Sequence, residues 1–328
     1  MAVGNFIFGK RDEGVEILDL RHFGADRLAA LLEEERGRWQ QRLLWDYAAS
    51  TRLLLEYIDS RVLPGYVAIE HDQLLGYTFG VLEGTKAVIG DAFAFGETVG
   101  VDNPICDRLL EHLIETLQAT PGVDRIEAQL LLFPSGALHR PFFRAGFKPS
   151  PRLFMLGSVE GALASGPALP VPAGLHLESW RPEFYEPAAA LIHRCYQGHM
   201  DAAINDQYRT VVGSLRFLHN IVRFPGCGIF DADNSWLLHD AAGHLAAMSL
   251  SSRVHDDAGH VTQLCVSPQW RGQNLGRLLL EQTARTLRQQ GGKALSLTVT
   301  EANLPALRVY EGLGLRTTHR FDAMVWDR

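Results

Sequence analysis

Cysteine is scarce in this chain, and what there is lies scattered: Cys106, Cys195, Cys227 and Cys265 form no Cys-x-x-Cys pair. That spacing indicates neither a zinc site nor a disulfide framework, so reduced thiols are expected. Positive charge is not in excess either. A net charge of −7 and a pI near 6.0 argue against a general nucleic-acid binder or an anionic-membrane binder, both of which need a basic footprint. No apolar run approaches membrane-spanning length, and the amino terminus lacks a charged leader followed by a long apolar stretch, so a cytoplasmic protein is expected. There is no His-Glu-x-x-His or Cys/His pattern to hold a metal. What remains is a chain of 328 residues, 46% hydrophobic and 21% charged, long enough for two domains.

The most informative stretch is Arg271, Gly272, Gln273, Asn274, Leu275, Gly276. It sits between an apolar strand-like run, Val261 to Val266, and an amphipathic segment, Leu275 to Gln290, in which Leu275, Leu278, Leu279, Ala284 and Leu287 recur at helical spacing. Strand, glycine loop and helix together make an anion site, because a helix start offers unpaired N–H groups and the positive end of its macrodipole. Arg271 adds charge beside them, and Arg277, just inside the helix, either assists or faces solvent. The stretch has no Gly-x-Gly-x-x-Gly, and no Lys-Ser/Thr pair follows its last glycine, so nicotinamide and ATP readings lose ground. About thirty residues on, Asn303, Ala306, Tyr310, Gly314 and Leu315 form a second motif; Asn303 is placed to cap a helix with Pro305 in its first turn.

In order and spacing the two motifs, within about Leu237 to Trp326, resemble those of the GNAT superfamily of acyl-CoA-dependent N-acyltransferases. The resemblance implies an α/β (α+β) fold, a central mixed β-sheet flanked by helices in which two splayed strands bind the acyl-CoA. It implies acetyl-CoA as co-substrate, with pantetheine along the backbones of Leu264, Cys265 and Val266 and pyrophosphate on the loop from Arg271 to Gly276. Asn303 would touch the cofactor arm, and Tyr310 would protonate the departing thiolate. One position departs from the family, which usually has glycine where Asn274 stands. Asn tolerates a left-handed backbone best after Gly, so the loop is expected to keep its shape.

The sequence also looks like one domain written twice. Gly65 to Gly76 parallels Ser235 to Ala246, and Arg140 to Phe147 parallels Arg308 to Leu315, at offsets of 170 and 168. Gly161 to Gly174, rich in Gly and Pro and uncharged, reads as the linker. The expected organisation is therefore a GNAT-like domain over 1–160, a linker over 161–174 and a catalytic domain over 175–328. At the loop position the first copy has Asp102 to Asp107, with two carboxylates in place of the arginine and glycines, and Phe142 stands where the second has Tyr310. The first copy is read as degenerate, without a cofactor loop.

Direct transfer requires a neutral amine, hence a base acting directly or through water. Relatives often carry a carboxylate on the fourth strand, where this chain has Thr262 and Gln263. The nearest ionisable groups are Glu301, at the end of the fifth strand, and His260, opening the fourth. The polar stretch from Pro182 to Arg223, holding His193, Tyr196, His199, Asp201, Asn205, Asp206 and Tyr208, is where the resemblance places the acceptor, and Asp201 and Asp206 suit a cationic amine. The expected activity is transfer of an acetyl group to a small-molecule or amino-acid-like amine. The alternatives are a non-catalytic acyl-CoA-binding or scaffolding protein and a peptide or protein N-acetyltransferase.

Overall fold

The computed structural model describes residues 14–96 and 102–328. In the first half, β1 (Glu16–Asp19) leads into helices α1 (Ala25–Leu43) and α2 (Ala48–Asp59) and then strands β2 (Gly65–Glu70), β3 (Gln73–Glu83) and β4 (Lys86–Ala94). Helix α3 (Pro104–Ala119), strand β5 (Arg125–Gln129), the short helix α4 (His139–Arg144) and strand β6 (Lys148–Ser158) follow. The second half runs through α5 (Ala162–Ser165), β7 (Leu175–Ser179), α6 (Tyr185–Tyr196), α7 (Asp201–Ile204), α8 (Val211–Arg223), β8 (Ile229–Phe230), β9 (Trp236–Asp240), β10 (Leu245–His255) and β11 (Ala258–Val266). It closes with α9 (Leu275–Gln289), β12 (Ala294–Thr300), α10 (Leu304–Gly312) and β13 (Arg316–Asp327). The repeated order matches the duplication, and the paralleled segments fall on equivalent hairpins, β2–β3 and β9–β10.

Sequence periodicity accounts for the elements around the site. In α9 the buried residues Leu275, Leu278, Leu279, Leu280, Ala284 and Leu287 form one face, which lies on the sheet. In β12 the buried Leu295, Leu297 and Val299 alternate with Ser296, Thr298 and Thr300. The uncharged stretch after β6 is not wholly linker, since Leu163 and Ala164 of α5 are buried in the same core as α9.

The two halves do not keep their own strands. Among the described residues, the strands join one sheet in the order β1-β2-β3-β4-β5-β13-β6-β12-β11-β10-β9-β7, with β8 paired to β10. β13, last in the second half, pairs with β5 of the first from Ala323↔Gln129 to Asp327↔Arg125. β6, last in the first half, pairs with β12 of the second from Ala294↔Ser158 to Thr300↔Arg152. The exchanged strands pair with each other at the centre, from Arg316↔Leu156 to Val325↔Lys148. The boundary written in the chain therefore differs from the boundary in space. The largest core cluster records this, joining Val254, Ala258, Phe321 and Met324 of the second half to Trp45, Phe142 and Phe154 of the first.

A buried ion network spans the same junction. Lys86 Nζ lies 2.7 Å from Asp206 and 3.3 Å from Glu127, and Arg125 reaches Glu127 and Asp327 at 2.6 Å each. Such a network sets how the halves dock more than it adds to stability, because desolvating the charges offsets much of their attraction.

Because each half needs the other's last strand, unfolding should be a single transition. Phe321 is fully buried, so Phe321→Ala should cost about 3–5 kcal/mol. Denaturant unfolding of this variant should still give one transition by fluorescence and by circular dichroism, at a lower midpoint. Two separated transitions would show that the halves fold independently.

Candidate functional site

β11 and β12 run parallel, but their pairing is short. It extends from Ala258↔Ala294 to Val261↔Leu297 and then stops, although β11 continues to Val266 and β12 to Thr300. The two strands diverge and leave a gap in the sheet. A bulge in β11 lies at the point of divergence, since Leu250 pairs with Gln263 and Ser251 with Val261, so Thr262 is the extra residue. The bulge flips the alternation. Val261 and Leu264 pack in the α9 core, whereas Gln263 and Cys265 face the α6 and α8 side.

Backbone pairing along β11 tells which groups face the gap. Ser267 N–H donates to Ala246 at 2.8 Å, and antiparallel ladders alternate, so Cys265 directs its backbone groups to β10 while Leu264 and Val266 direct theirs to the open side. Of the three residues expected to pair with a pantetheine arm, two offer backbone groups there, and Cys265 contributes only a buried thiol whose pKa burial pushes well above the usual value.

The glycine loop continues from the open end of β11. Gly272 has φ +79°, with open space where a Cβ would stand, and Asn274 is left-handed at φ 59°, the conformation expected of an Asn replacing glycine. Asn274 occupies the N-cap position of α9 without a side-chain cap hydrogen bond, so its own side chain leaves the helix start uncapped. Gln273 is exposed beside them, and a Cβ at Gly276 would meet Val266 and Leu264 only at ordinary van der Waals distance. Arg271 is exposed and folds back over the end of β11, donating to Cys195 O at 3.2 Å and Val266 O at 3.4 Å. Arg277 pairs with Glu281 at 2.8 Å. An uncapped helix start, a left-handed loop and a strand with unpaired backbone fit a pyrophosphate and an extended arm.

Tyr310 lies on α10 in the same core as α9, and electrostatically its hydroxyl senses Asp201, Cys265 and Arg152, which belong to three other elements. Burial is the main cause of its raised pKa, which keeps it protonated. Asn303 caps α10, its Oδ1 accepting from Ala306 N–H at 3.3 Å. Opposite, Tyr196 and Tyr208 stack with ring centroids 4.2 Å apart. Gln263 ties both to β11: its Nε2 donates to Tyr196 OH at 2.9 Å, and its Oε1 accepts from Tyr208 OH at 3.2 Å. Asp201 accepts the Thr300 hydroxyl and lies 3.8 Å from His199.

The two ionisable residues considered as bases are both placed unfavourably. His260 is buried against Trp45 and Phe154, with its Nδ1 2.9 Å from Ser296 Oγ, and burial, reinforced by Arg152, lowers its pKa to about 3. Enclosed and weakly basic, it is poorly suited to take a proton from an ammonium. Glu301 is ion-paired with Arg320 at the outer end of β12. Asp206 is likewise committed, to Lys86, so of the two acceptor carboxylates only Asp201 stands at the gap. Sequence reading missed the structural part of Gln263 and missed Arg152 entirely. The latter carried one faint signal, a lone charge heading the apolar run Leu153, Phe154, Met155, Leu156.

In the first half β4 and β5 pair as far as Ile89↔Ala128, β5 ends one residue later at Gln129, and the buried Leu130, Phe133, Leu138 and Phe142 that follow belong to the core shared by the two halves. Asp91, on the same strand past Ile89, lies beside Glu35, and burial raises the pKa of both carboxyls. Tyr77 OH donates to Glu35 at 2.6 Å and Trp39 Nε1 at 3.0 Å. α3, the counterpart of α9, begins with Asp107 in its first turn.

Comparison with known proteins agrees with this geometry. Residues 179–315 match the model of the acetyltransferase (GNAT) family. A search of curated protein sequences finds no match. Among solved structures, a GCN5-related N-acetyltransferase from Sphaerobacter thermophilus is similar over 95% of both chains, with 16% identity and a TM-score of 0.62. A tandem GNAT protein from the clavulanic acid biosynthesis pathway is similar over 95% of this chain and 98% of its own, with 16% identity and a TM-score of 0.57. A putative acetyltransferase from Pyrococcus horikoshii covers 98% and 92%, with 13% identity and a TM-score of 0.53. The part of the second half that matches is therefore similar to a family of transferase enzymes. The whole chain has the fold of two GNAT-like domains.

The left-handed Asn274 provides a test of the loop. Asn274→Gly should leave acetyl-CoA binding nearly unchanged. Asn274→Val puts a β-branched residue at φ 59°, straining the loop by about 1–3 kcal/mol, and should weaken binding about tenfold or more by calorimetry. Equal affinity in both variants would detach the loop from cofactor binding.

Proposed function

We propose that the second half transfers an acetyl group from acetyl-CoA to a small-molecule or amino-acid-like primary amine by direct attack. The observation that carries this reading is the divergence of β11 and β12, with an uncapped helix start at one end and Tyr310 and Asp201 at the gap. In this reading Leu264 and Val266 hold the pantetheine arm by strand-like pairing, and Arg271 to Gly276 hold the pyrophosphate on the start of α9. When bound, acetyl-CoA supplies an activated thioester.

The residues of the chain then have separable tasks. Tyr196, Tyr208 and Gln263 form a rigid wall that orients the acceptor, turning a two-body encounter into an aligned one. Asp201 holds the ammonium and takes its proton, directly or through a water. The freed amine nitrogen attacks the thioester carbon, and the backbone N–H of Leu264 faces the oxygen that gains charge. As the carbon–sulfur bond breaks, the sulfur leaves with the electron pair and takes the Tyr310 hydroxyl proton, and the second proton that the new amide nitrogen sheds returns to the Tyr310 oxygen through water. A raised pKa suits Tyr310 for this, since the group stays protonated until it meets a strong base. The first half is read as having kept the fold and given up the cofactor, because its loop position carries Asp102 and Asp107 in place of the arginine and glycines and Phe142 stands where the second half has Tyr310.

Tyr310→Phe should lower kcat on the order of 100-fold, measured as thiol release, with acetyl-CoA affinity unchanged. In the wild type, kcat should show no loss of an essential acid near pH 10, where an ordinary tyrosine titrates, because burial raises the Tyr310 pKa. An undiminished rate in the variant would remove the acid role.

A further inference from the structure

Arg152 enters this site from the other half of the molecule. It lies on β6, the strand the first half lends, opposite Thr300 of β12 and Phe321 of β13. Its guanidinium donates from Nη1 to Gln129 Oε1 at 2.8 Å and from Nη2 to Thr298 Oγ1 at 3.4 Å. Both acceptors are neutral. Its Nε is enclosed and has no hydrogen-bond partner. Among the described residues, no carboxylate lies within ion-pairing distance of this guanidinium, although the nearby cations Lys86 and Arg125 are both saturated with carboxylates. A partly buried cation without a counter-charge, next to the groups of a reaction site, is a costly arrangement.

Two features set where the missing charge belongs. Arg152 donates to Thr298, past the point where β12 leaves β11, and lies opposite Thr300, whose hydroxyl Asp201 accepts, so it stands at the acceptor side of the gap. Gln129, which holds its Nη1, also lines a cavity of about 310 Å³ between the halves, walled by Val88 and Glu127 of the first half and by Asn205, Phe217 and Asn220 of the second. The carboxylates bordering that cavity are committed: Glu127 and Glu83 to Lys86, and Glu127 also to Arg125. Among the described residues those carboxylates are therefore not partners for Arg152, whose guanidinium reaches the cavity only through Gln129.

We propose that Arg152 binds an anionic group of the acceptor, so that the substrate is an amine that also carries a carboxylate or a phosphate monoester. The inference rests on the acetyl-transfer reading and narrows it. Asp201 takes the cationic end and Arg152 the anionic end, one from each half. The first half then supplies a specificity-determining residue through its exchanged strand.

The test uses the full chain and a panel of matched acceptors: ω-amino carboxylic acids of increasing length, aminoalkyl phosphates, and neutral amines of equal length. Acetyl transfer is read as thiol release, and binding as protection from thermal unfolding in the presence of CoA. Anionic amines should exceed their neutral counterparts at least tenfold in kcat/KM. Arg152→Gln should remove that preference mainly through KM, with neutral amines and acetyl-CoA affinity unaffected. The better series, carboxylate or phosphate, identifies the anion. Equal use of neutral and anionic amines, or an equal loss for both in the variant, would overturn the assignment while leaving amine acetylation intact. If no amine is acetylated yet anionic compounds protect the wild type and not Arg152→Gln, the acetyl-transfer reading fails and the anion site stands. Neither turnover nor protection would overturn both.

Discussion

The exchange of β6 and β13 is the constraint on which the rest of the structure depends. Each strand completes the sheet of the half it does not belong to, and the pair of them forms the seam. Backbone hydrogen bonds along three consecutive ladders hold that seam, and the side chains above it, Phe154 and Phe321 among them, belong to a core drawn from both halves. Neither half can be removed without opening a long unpaired edge in the other. The two halves thus share one continuous sheet.

The first half buries Leu130, Phe133 and Phe142 in the shared core and carries a buried acid pair, Glu35 on α1 and Asp91 on β4. Its β4 and β5 wall a cavity that α8 lines from the other side. In the proposed reading the first half presents surface to the acceptor. Arg152 is the sharpest instance, a charged side chain delivered into the neighbouring half by a strand whose pairing partners all lie in the second.

Sequence made the local parts legible and left the distant ones hidden. The loop from Arg271 to Gly276, the left-handed Asn274, the face of α9 and the Asn303 cap all follow from residues within a few positions of one another, where backbone preference and helical period decide the outcome. His260 could not be read that way. What encloses it is Trp45 and Phe154, more than a hundred residues away in the chain, brought there by the exchanged strand and the helical layer of the first half. Asp206 was drawn off for the same reason, by Lys86 of the opposite half. The bulge at Thr262, which turns Gln263 toward Tyr196 and Tyr208, shifts the strand alternation by one residue, and nothing in the local pattern marks it.

The account divides labour between the halves, with the second holding the cofactor and the first lending a strand, a wall and an arginine. Calorimetric titration of acetyl-CoA into the whole protein, with Arg271→Glu beside it, tests that division most directly. The account predicts one site per chain, weakened or lost in the variant. Two sites per chain would contradict it, because the first half would then hold cofactor as well.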